Sequence, residues 1–180
     1  MKLIALTGLP RSGKDTVAAW LIAHHGFTKM AFADPLKKAA AILLDRTEDE
    51  ANGINFDREA IMPEWGFSMR WFLQRFGTEC MRNQIDPDFW LKRMDLELLS
   101  WAGVQAAMAK IVITDCRFPN EAATVRNRGG KIVEIRRPGL VASDHVSDSM
   151  TFLEPDDYVI YNHGTLTELY GQADRLASVI

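Results

Sequence analysis

The sequence predicts an α/β fold in three layers, a five-stranded parallel sheet with helices on both faces. Three observations predict it. Apolar runs of strand length alternate with amphipathic stretches of helix length along the whole chain. The first apolar run, Lys2 to Thr7, passes without a spacer into Gly8-Leu9-Pro10-Arg11-Ser12-Gly13-Lys14-Asp15-Thr16. A glycine, four free residues and Gly-Lys between a strand and a helix is the phosphate-loop (P-loop) pattern. Finally, 180 residues that are 47% apolar and 25% charged suit a single domain, 1–180, with a core thick enough for three layers.

Strand 1 covers residues 2–7, and the helix after the loop runs from about 13 to 24, with Val17, Trp20 and Leu21 on its apolar face. It ends near Gly26, and Phe27 to Ala33 reads as a second strand. Asp34 is suited to cap the next helix, Leu36 to Leu44, with Pro35 in its first turn, where a missing N–H costs nothing. Asp45 to Glu50 reads as a solvated loop, and residues 51–67, with Gly53, Pro63 and Gly66, as an irregular connection. Ser68 caps a short helix, Met69 to Phe76, that Gly77 closes, and Thr78 begins another short helical stretch. Asp86-Pro87 opens the longest helix, to about Ala109, in which Trp90, Met94, Leu98 and Trp101 recur at helical spacing as a core face.

Ile111 to Asp115 is the third strand, apolar on both faces and ending in a carboxylate. A helix from Pro119 to Arg128 is stopped by Gly129-Gly130; Ile132 to Arg136 is the fourth strand, and Pro138-Gly139 opens a polar loop to about Pro155. Tyr158 to Tyr161 is the fifth strand, and an amphipathic helix runs from Thr165 to the end. Right-handed crossovers make such a sheet parallel, and ligands collect at the carboxyl ends of its strands. Gly8, Ala33, Asp115, Arg136 and Asn162 are therefore expected around one cleft.

A net charge of −3 argues against a dedicated nucleic-acid surface, which needs a basic excess. Cys80 and Cys116 fit no metal-ligand spacing, so free thiols in a reducing cytosol are expected. The chain opens into a strand, leaving no room for a signal peptide, and no apolar run spans a bilayer. A soluble cytoplasmic protein without a membrane partner is the expectation.

The chemistry begins at the loop. Gly8 and Gly13 let the backbone wrap phosphates without a Cβ in the way, and successive N–H groups at the helix amino terminus face the negative charge. Lys14 reaches the terminal phosphates. Asp15 stands where Ser or Thr is usual, with Thr16 one place late. Beside a phosphate a carboxylate needs a screening cation, so Asp15 reads as a Mg²⁺ or metal-water ligand, and Thr16 is left at the phosphate and metal. Asp115 is the natural opposing metal carboxylate; the alternative is a cap for the helix at Pro119.

Arginines decide between hydrolysis and transfer, because a second phosphorylated substrate needs further cations. Arg70 and Arg75 flank a short helix, Arg117 follows Asp115 by two, and Arg136-Arg137 end strand 4. Surface salt bridges are the alternative reading for any one of them, and solvated helix surface for Lys37. His24, His25, His145 and His163 fit no metal constellation; His145, inside the polar loop, is the one worth testing. Trp71, Phe89 and Trp90 could stack on a base, with core packing favoured for two of the three. A phosphate-monoester acceptor is already ionised near neutral pH, so no general base is needed, and catalysis is positioning plus charge neutralisation.

Five segments resemble a known family: Arg11 to Thr16; Phe32-Ala33-Asp34-Pro35-Leu36-Lys37; Met69-Arg70 through Phe76-Gly77-Thr78-Glu79 with Asp86 to Trp90; Thr114-Asp115-Cys116-Arg117; and Arg137-Pro138-Gly139 with Asn162-His163-Gly164. They are similar, in the same order, to the deoxynucleoside monophosphate kinases of tailed bacteriophages. The resemblance implies ATP + dNMP → ADP + dNDP on a nucleoside-monophosphate-kinase fold with sheet order 2-3-1-4-5, in a host cytoplasm. It implies that Gly8 and Arg11, Ser12, Gly13, Lys14, Asp15 and Thr16 hold the ATP phosphates. Lys14, Arg11, Arg117 and Asp115 become the catalytic set, with Mg²⁺ at Asp15, Thr16 and Asp115. Arg70 and the Gly77-Thr78 turn fall in a monophosphate-binding insert, about 45–90, with Lys37, Arg75 and Trp90 on the same substrate side. Arg117, Arg136 and Arg137 become cations of a lid-side region, about 117–155, and Asn162 to Gly164 a loop near adenine. The segment before Ser68 is shorter than in the larger phage enzymes, which leaves base selectivity and a homodimer open.

The rival resemblance is to animal-type phosphomevalonate kinase, which has a similar loop, Asp-x-Arg and Asn-His-Gly; Thr16 and the Phe76-Gly77-Thr78-Glu79 turn favour the nucleotide enzyme. A P-loop ATPase or nucleotide-binding module is disfavoured by the arginines beyond the loop.

Overall fold

A computed structural model describes residues 1–100, 108–141 and 152–180. In chain order its strands are β1 (Lys2–Thr7), β2 (Thr28–Met30), β3 (Ile61–Met62), β4 (Phe67–Ser68), β5 (Lys110–Ile113), β6 (Lys131–Arg136) and β7 (Tyr158–Tyr161). The helices are α1 (Lys14–His25), α2 (Asp34–Leu43), α3 (Glu48–Asn52), α4 (Met69–Gln74), α5 (Phe89–Ser100), α6 (Pro119–Asn127) and α7 (Leu166–Val179), and a π-helical segment, Arg75–Ile85, follows α4. The chain divides into two units, Met1–Ala31 with Leu98–Ile180, and Phe32–Glu97.

The first unit holds a five-stranded sheet in the order β2-β5-β1-β6-β7, with all neighbours parallel. Counted along this sheet alone, that is second-third-first-fourth-fifth, the order expected. β1 and β5 are central and read as unbroken apolar runs because both of their faces are covered. Ile4 and Leu6 pack with Val112, Val133 and Ile135 against Val17 and Leu21 of α1 and Leu169, Ala173 and Leu176 of α7. The alternate residues Leu3, Ile111, Ile113 and Ile132 are equally buried on the opposite side, where α6 buries Ala122 and Val125. Each buried Val, Leu or Ile side chain contributes about 1.5–3 kcal/mol of apolar burial. Trp20 ties α1 to α7: its ring stacks on Tyr170 at 4.0 Å, and its indole N–H donates to Asp174 Oδ1 at 2.6 Å. β7 is an edge strand, and the Gln172 side chain bonds its outer side, accepting from Tyr161 N at 3.0 Å and donating to Tyr161 O at 2.8 Å.

The second unit packs α2, α3, α4 and the antiparallel β3–β4 pair around Ala40, Ala41, Leu44, Ala51, Met62 and Met69. Several expectations need correcting here. The second strand is three residues, Thr28–Met30, and not Phe27 to Ala33. Asp34 lies inside the first turn of α2, and Ala33 occupies the cap without a side-chain bond. The charged run expected as loop holds the start of α3, because Thr47 and Glu50 form a reciprocal capping box. The irregular stretch holds the β3–β4 pair. Ser68 does cap α4, accepting from Trp71 N. Gly77 does not close the helix: the chain continues through it as the π segment, and the missing Cβ leaves room for Leu36.

α5 begins at Phe89, two residues after Pro87, and buries Trp90, Met94 and Leu98 as expected. β5 ends at Ile113, so Thr114 and Asp115 follow the strand. Trp101, most of the polar loop and His145 lie outside the described residues. No helix among the described residues is long and apolar enough to cross a membrane.

Candidate active site

β1 delivers the chain into the phosphate loop, whose path is set by sterics. Gly8 has φ +125° and Gly13 φ +108°, with Arg11 between them at φ +64°. A Cβ on Gly8 would lie 3.3 Å from the Ile135 carbonyl carbon and closer still to its oxygen, so the loop passes β6 at backbone contact. Ser12 N donates to Leu9 O at 3.1 Å, and α1 starts with Val17 N on Gly13 O at 3.0 Å. Lys14 Nζ folds back onto Gly8 O at 2.7 Å and Leu9 O at 2.8 Å. Its charge is thereby held over the loop by carbonyls that a phosphate can replace as partner.

Two segments from the neighbouring strands meet the loop. Asn162 follows β7, its backbone N donating to Arg136 O at 2.7 Å, and its side-chain Nδ2 donates to Ser12 O at 2.8 Å. Arg137 follows β6 and reaches Arg11 O through Nη1 in a long bond of 3.4 Å. Arg11, Gly13, Lys14, Asp15, Thr16, Arg137, Asn162 and Gly164 line a cavity of about 360 Å³, closed on its apolar side by Leu166 and Leu169. Gly8 and Ser12 are not in its wall. Gly8 packs on Ile135, and Ser12 is 1% exposed, its hydroxyl buried with no protein partner.

Asp115 and Arg117 belong to the turn after β5. Cys116 N donates to Leu6 O at 3.1 Å, which fixes this turn beside the end of β1. Burial, with Glu121 and Asp115 nearby, pushes the Cys116 thiol well up, so it is inert. Glu121, only 2% exposed, accepts from Arg117 N at 2.7 Å and Phe118 N at 3.1 Å. It holds the turn that carries Asp115 and Arg117, and Phe118 at the cap position hides the usual Ser/Thr signature that would have pointed to it. Neither Asp115 nor Arg117 lines the cavity, and Arg136 does not either. Arg136 Nε donates to Glu134 Oε2 at 2.6 Å, which raises its pKa further.

In the second unit, Arg70 pairs with Glu59, Arg75 with Glu79 at 2.7 Å, and Lys37 with Asp34 at 3.7 Å. The Arg75–Glu79 pair is exposed, the Arg70–Glu59 pair partly so and the Lys37–Asp34 pair half-buried; exposed pairs of this kind are worth about 0–1 kcal/mol. Arg75 also lies over the Trp71 ring at 5.8 Å. Trp90 is a correction: its indole is 7% exposed and donates to Gly77 O at 2.9 Å, so its faces are core and not a base platform. Gly77 is buried and Thr78 is half-buried. Among the described residues no three His, Cys, Asp or Glu converge as a metal site.

The profile of the deoxynucleotide monophosphate kinase family matches residues 2–64 and 60–173. A putative deoxynucleotide monophosphate kinase of Acanthamoeba polyphaga mimivirus is 34% identical over 181 residues, covering 96% of this chain and 94% of that protein. The deoxynucleotide monophosphate kinase of Escherichia phage RB69 is 25% identical over 244 residues, 98% of this chain and 99% of that protein. That alignment is longer than this chain's 180 residues, so the phage enzyme has segments this chain lacks. Among solved structures, dephospho-CoA kinase from Campylobacter jejuni has the same fold, with TM-score 0.51, 15% identity, and 99% of this chain and 96% of that one covered. A phosphate loop at the end of β1, ringed by residues from the neighbouring strand ends, and a family match over nearly the whole chain agree: this chain belongs to the deoxynucleotide monophosphate kinase family.

Proposed function

We propose that this chain transfers the γ-phosphate of ATP to a deoxynucleoside 5′-monophosphate, with the donor held in the first unit and the acceptor's monophosphate in the second. The observation that carries the donor assignment is the cavity walled by Arg11, Gly13, Lys14, Asp15, Thr16 and Arg137, a polar phosphate-sized space bordered by three cations. Gly13 fits that role because a side chain there has neither room nor an accessible φ. Loop amides and the amino end of α1 receive the phosphate oxygens. Lys14 exchanges its two loop carbonyls for the terminal phosphates, and Arg11 and Arg137 neutralise charge at the rim.

Asp15 and Thr16, both in the cavity wall, are the residues that fit Mg²⁺, which takes few protein ligands alongside substrate phosphates. Asp115 is assigned to the same ion through water. When bound, Mg²⁺ would neutralise charge on the transferred group. Arg117, held by the Glu121-braced turn, is assigned to the transferring phosphate, Arg136 to the lid side, and Gly164 to the adenine side. Arg70, Arg75, Lys37, Gly77 and Thr78 are assigned to the acceptor. Its phosphate oxygen is already ionised near neutral pH, so these residues need only position it and offset repulsion between two anions. We assign the enzyme to the cytoplasm, without nucleic-acid or membrane partners, and self-association into a homodimer is open to light scattering.

ADP release measured with dTMP, dGMP, dCMP, dAMP and phosphomevalonate tests the reading. The expected result is ADP release that depends on at least one deoxynucleotide and is absent with phosphomevalonate. ADP release at full rate without any acceptor would make the chain an ATPase instead.

A further inference from the structure

Asn162 faces the loop in a way that its expected place near adenine does not explain. Its carboxamide donates to Ser12 O at 2.8 Å, and the same Nδ2 lies 2.6 Å from where a Gly13 Cβ would be. The amide therefore occupies the space that Gly13 leaves open, at the first peptide of the helix start. A trans peptide is planar, so fixing the Ser12 carbonyl fixes the direction of the Gly13 N–H opposite to it. Asn162 is itself held on both sides. Its backbone N is bonded to Arg136 O at 2.7 Å, and the preceding Tyr161 is clamped through N and O by Gln172 of α7. A rigid line runs from α7 through the edge strand β7 into the phosphate loop. Ser12 cannot hold the loop by its own side chain, since its buried hydroxyl has no protein partner.

We propose that Asn162 is a positioning residue for the donor's phosphates: its carboxamide presets the Ser12–Gly13 peptide, and its contribution to affinity is independent of the nucleoside. This rests on the donor phosphates binding at the loop. A loop lacking that bond must be ordered by the ligand, which lowers affinity for any polyphosphate by the same factor.

Calorimetric titration of inorganic tripolyphosphate, ATP and adenosine into the wild type, Asn162→Ala, Asn162→Asp and Lys14→Ala separates the possibilities, with kcat and KM for ATP measured alongside. Asn162→Asp keeps the side chain's size against Gly13 and removes the donor, so it reports even where the alanine variant is poorly folded. The expected result is an equal loss, about tenfold for one hydrogen bond, in tripolyphosphate and ATP affinity on Asn162→Ala. Asn162→Asp should lose more, because a carboxylate is added beside the phosphates. KM for ATP rises more than kcat falls, and any adenosine binding is unchanged. Loss of ATP affinity with tripolyphosphate affinity retained would overturn the proposal and return Asn162 to the base. Unchanged tripolyphosphate affinity in Lys14→Ala would instead overturn the loop assignment on which the proposal rests.

Discussion

Replacing Gly8 by alanine tests the steric reading of the loop separately from any chemistry. Gly8 sits at φ +125°, where an L side chain is strained, and its Cβ would meet the backbone of Ile135, which cannot swing away as a side-chain tip can. Gly26 provides the comparison, since its φ is +68° and nothing lies within 4 Å of its Cβ position. Left-handed backbone costs a non-glycine residue roughly 1–2 kcal/mol. Gly→Ala also stiffens the unfolded chain by about 0.4–1 kcal/mol in the opposite direction, a contribution common to both variants. Gly26→Ala should therefore lose about 0–1.6 kcal/mol. Gly8→Ala adds overpacking between β1 and β6, roughly 1–3 kcal/mol more. That is a large share of the ~5–15 kcal/mol of a typical domain. Urea denaturation without nucleotide, followed by fluorescence, gives the two stabilities. Equal midpoints for Gly8→Ala and Gly26→Ala would refute the claimed backbone contact.

Asp15→Ala should chiefly raise the Mg²⁺ concentration needed for half-maximal transfer, because Asp15 is the carboxylate in the cavity wall; a Mg²⁺ titration that superimposes on wild type removes it from the metal. Asp174 of α7 faces α1, and its carboxyl is held below the usual range first by the Trp20 indole N–H and then by His25, with His24 also near. A depressed carboxylate stabilises the fold above its unfolded pKa of about 3.9 and loses that contribution as pH falls through its lower folded value. The stability gap between wild type and Asp174→Ala should thus close as pH falls below about 4, through the carboxyl's lower folded value. A gap that widens in acid would mean that the carboxylate is not the stabilising form.

Much of the site was legible because it is local in sequence. Gly8, Gly13 and Lys14 declare the loop by spacing, and the strand before it and helix after it are marked by residue period alone. The capping signal at Ser68 works in the same way, through a bond that closes within three residues. Trp90 misled because a tryptophan on a helix looks the same whether its ring meets a base or a core, and only the bond to Gly77 O decides. α3 was missed because the charged run masked its Thr47–Glu50 box. Glu121 and Gln172 could not have been singled out, since each acts through backbone groups of another element or turn.

By itself, then, the sequence determined the alternating architecture, the strand order through its family resemblance, and a phosphate cradle with an aspartate where a hydroxyl is usual. The tertiary structure alone decided which distant residues touch that cradle. Asn162 and Arg137 come to it because parallel strands bring their carboxyl ends to one edge, although the Asn162–Ser12 contact spans 150 residues of chain. It also decided that Arg136 turns to Glu134 while its neighbour Arg137 turns to the loop. Successive residues at a strand end point to opposite sides, and a pair of adjacent arginines in a sequence does not say which is which.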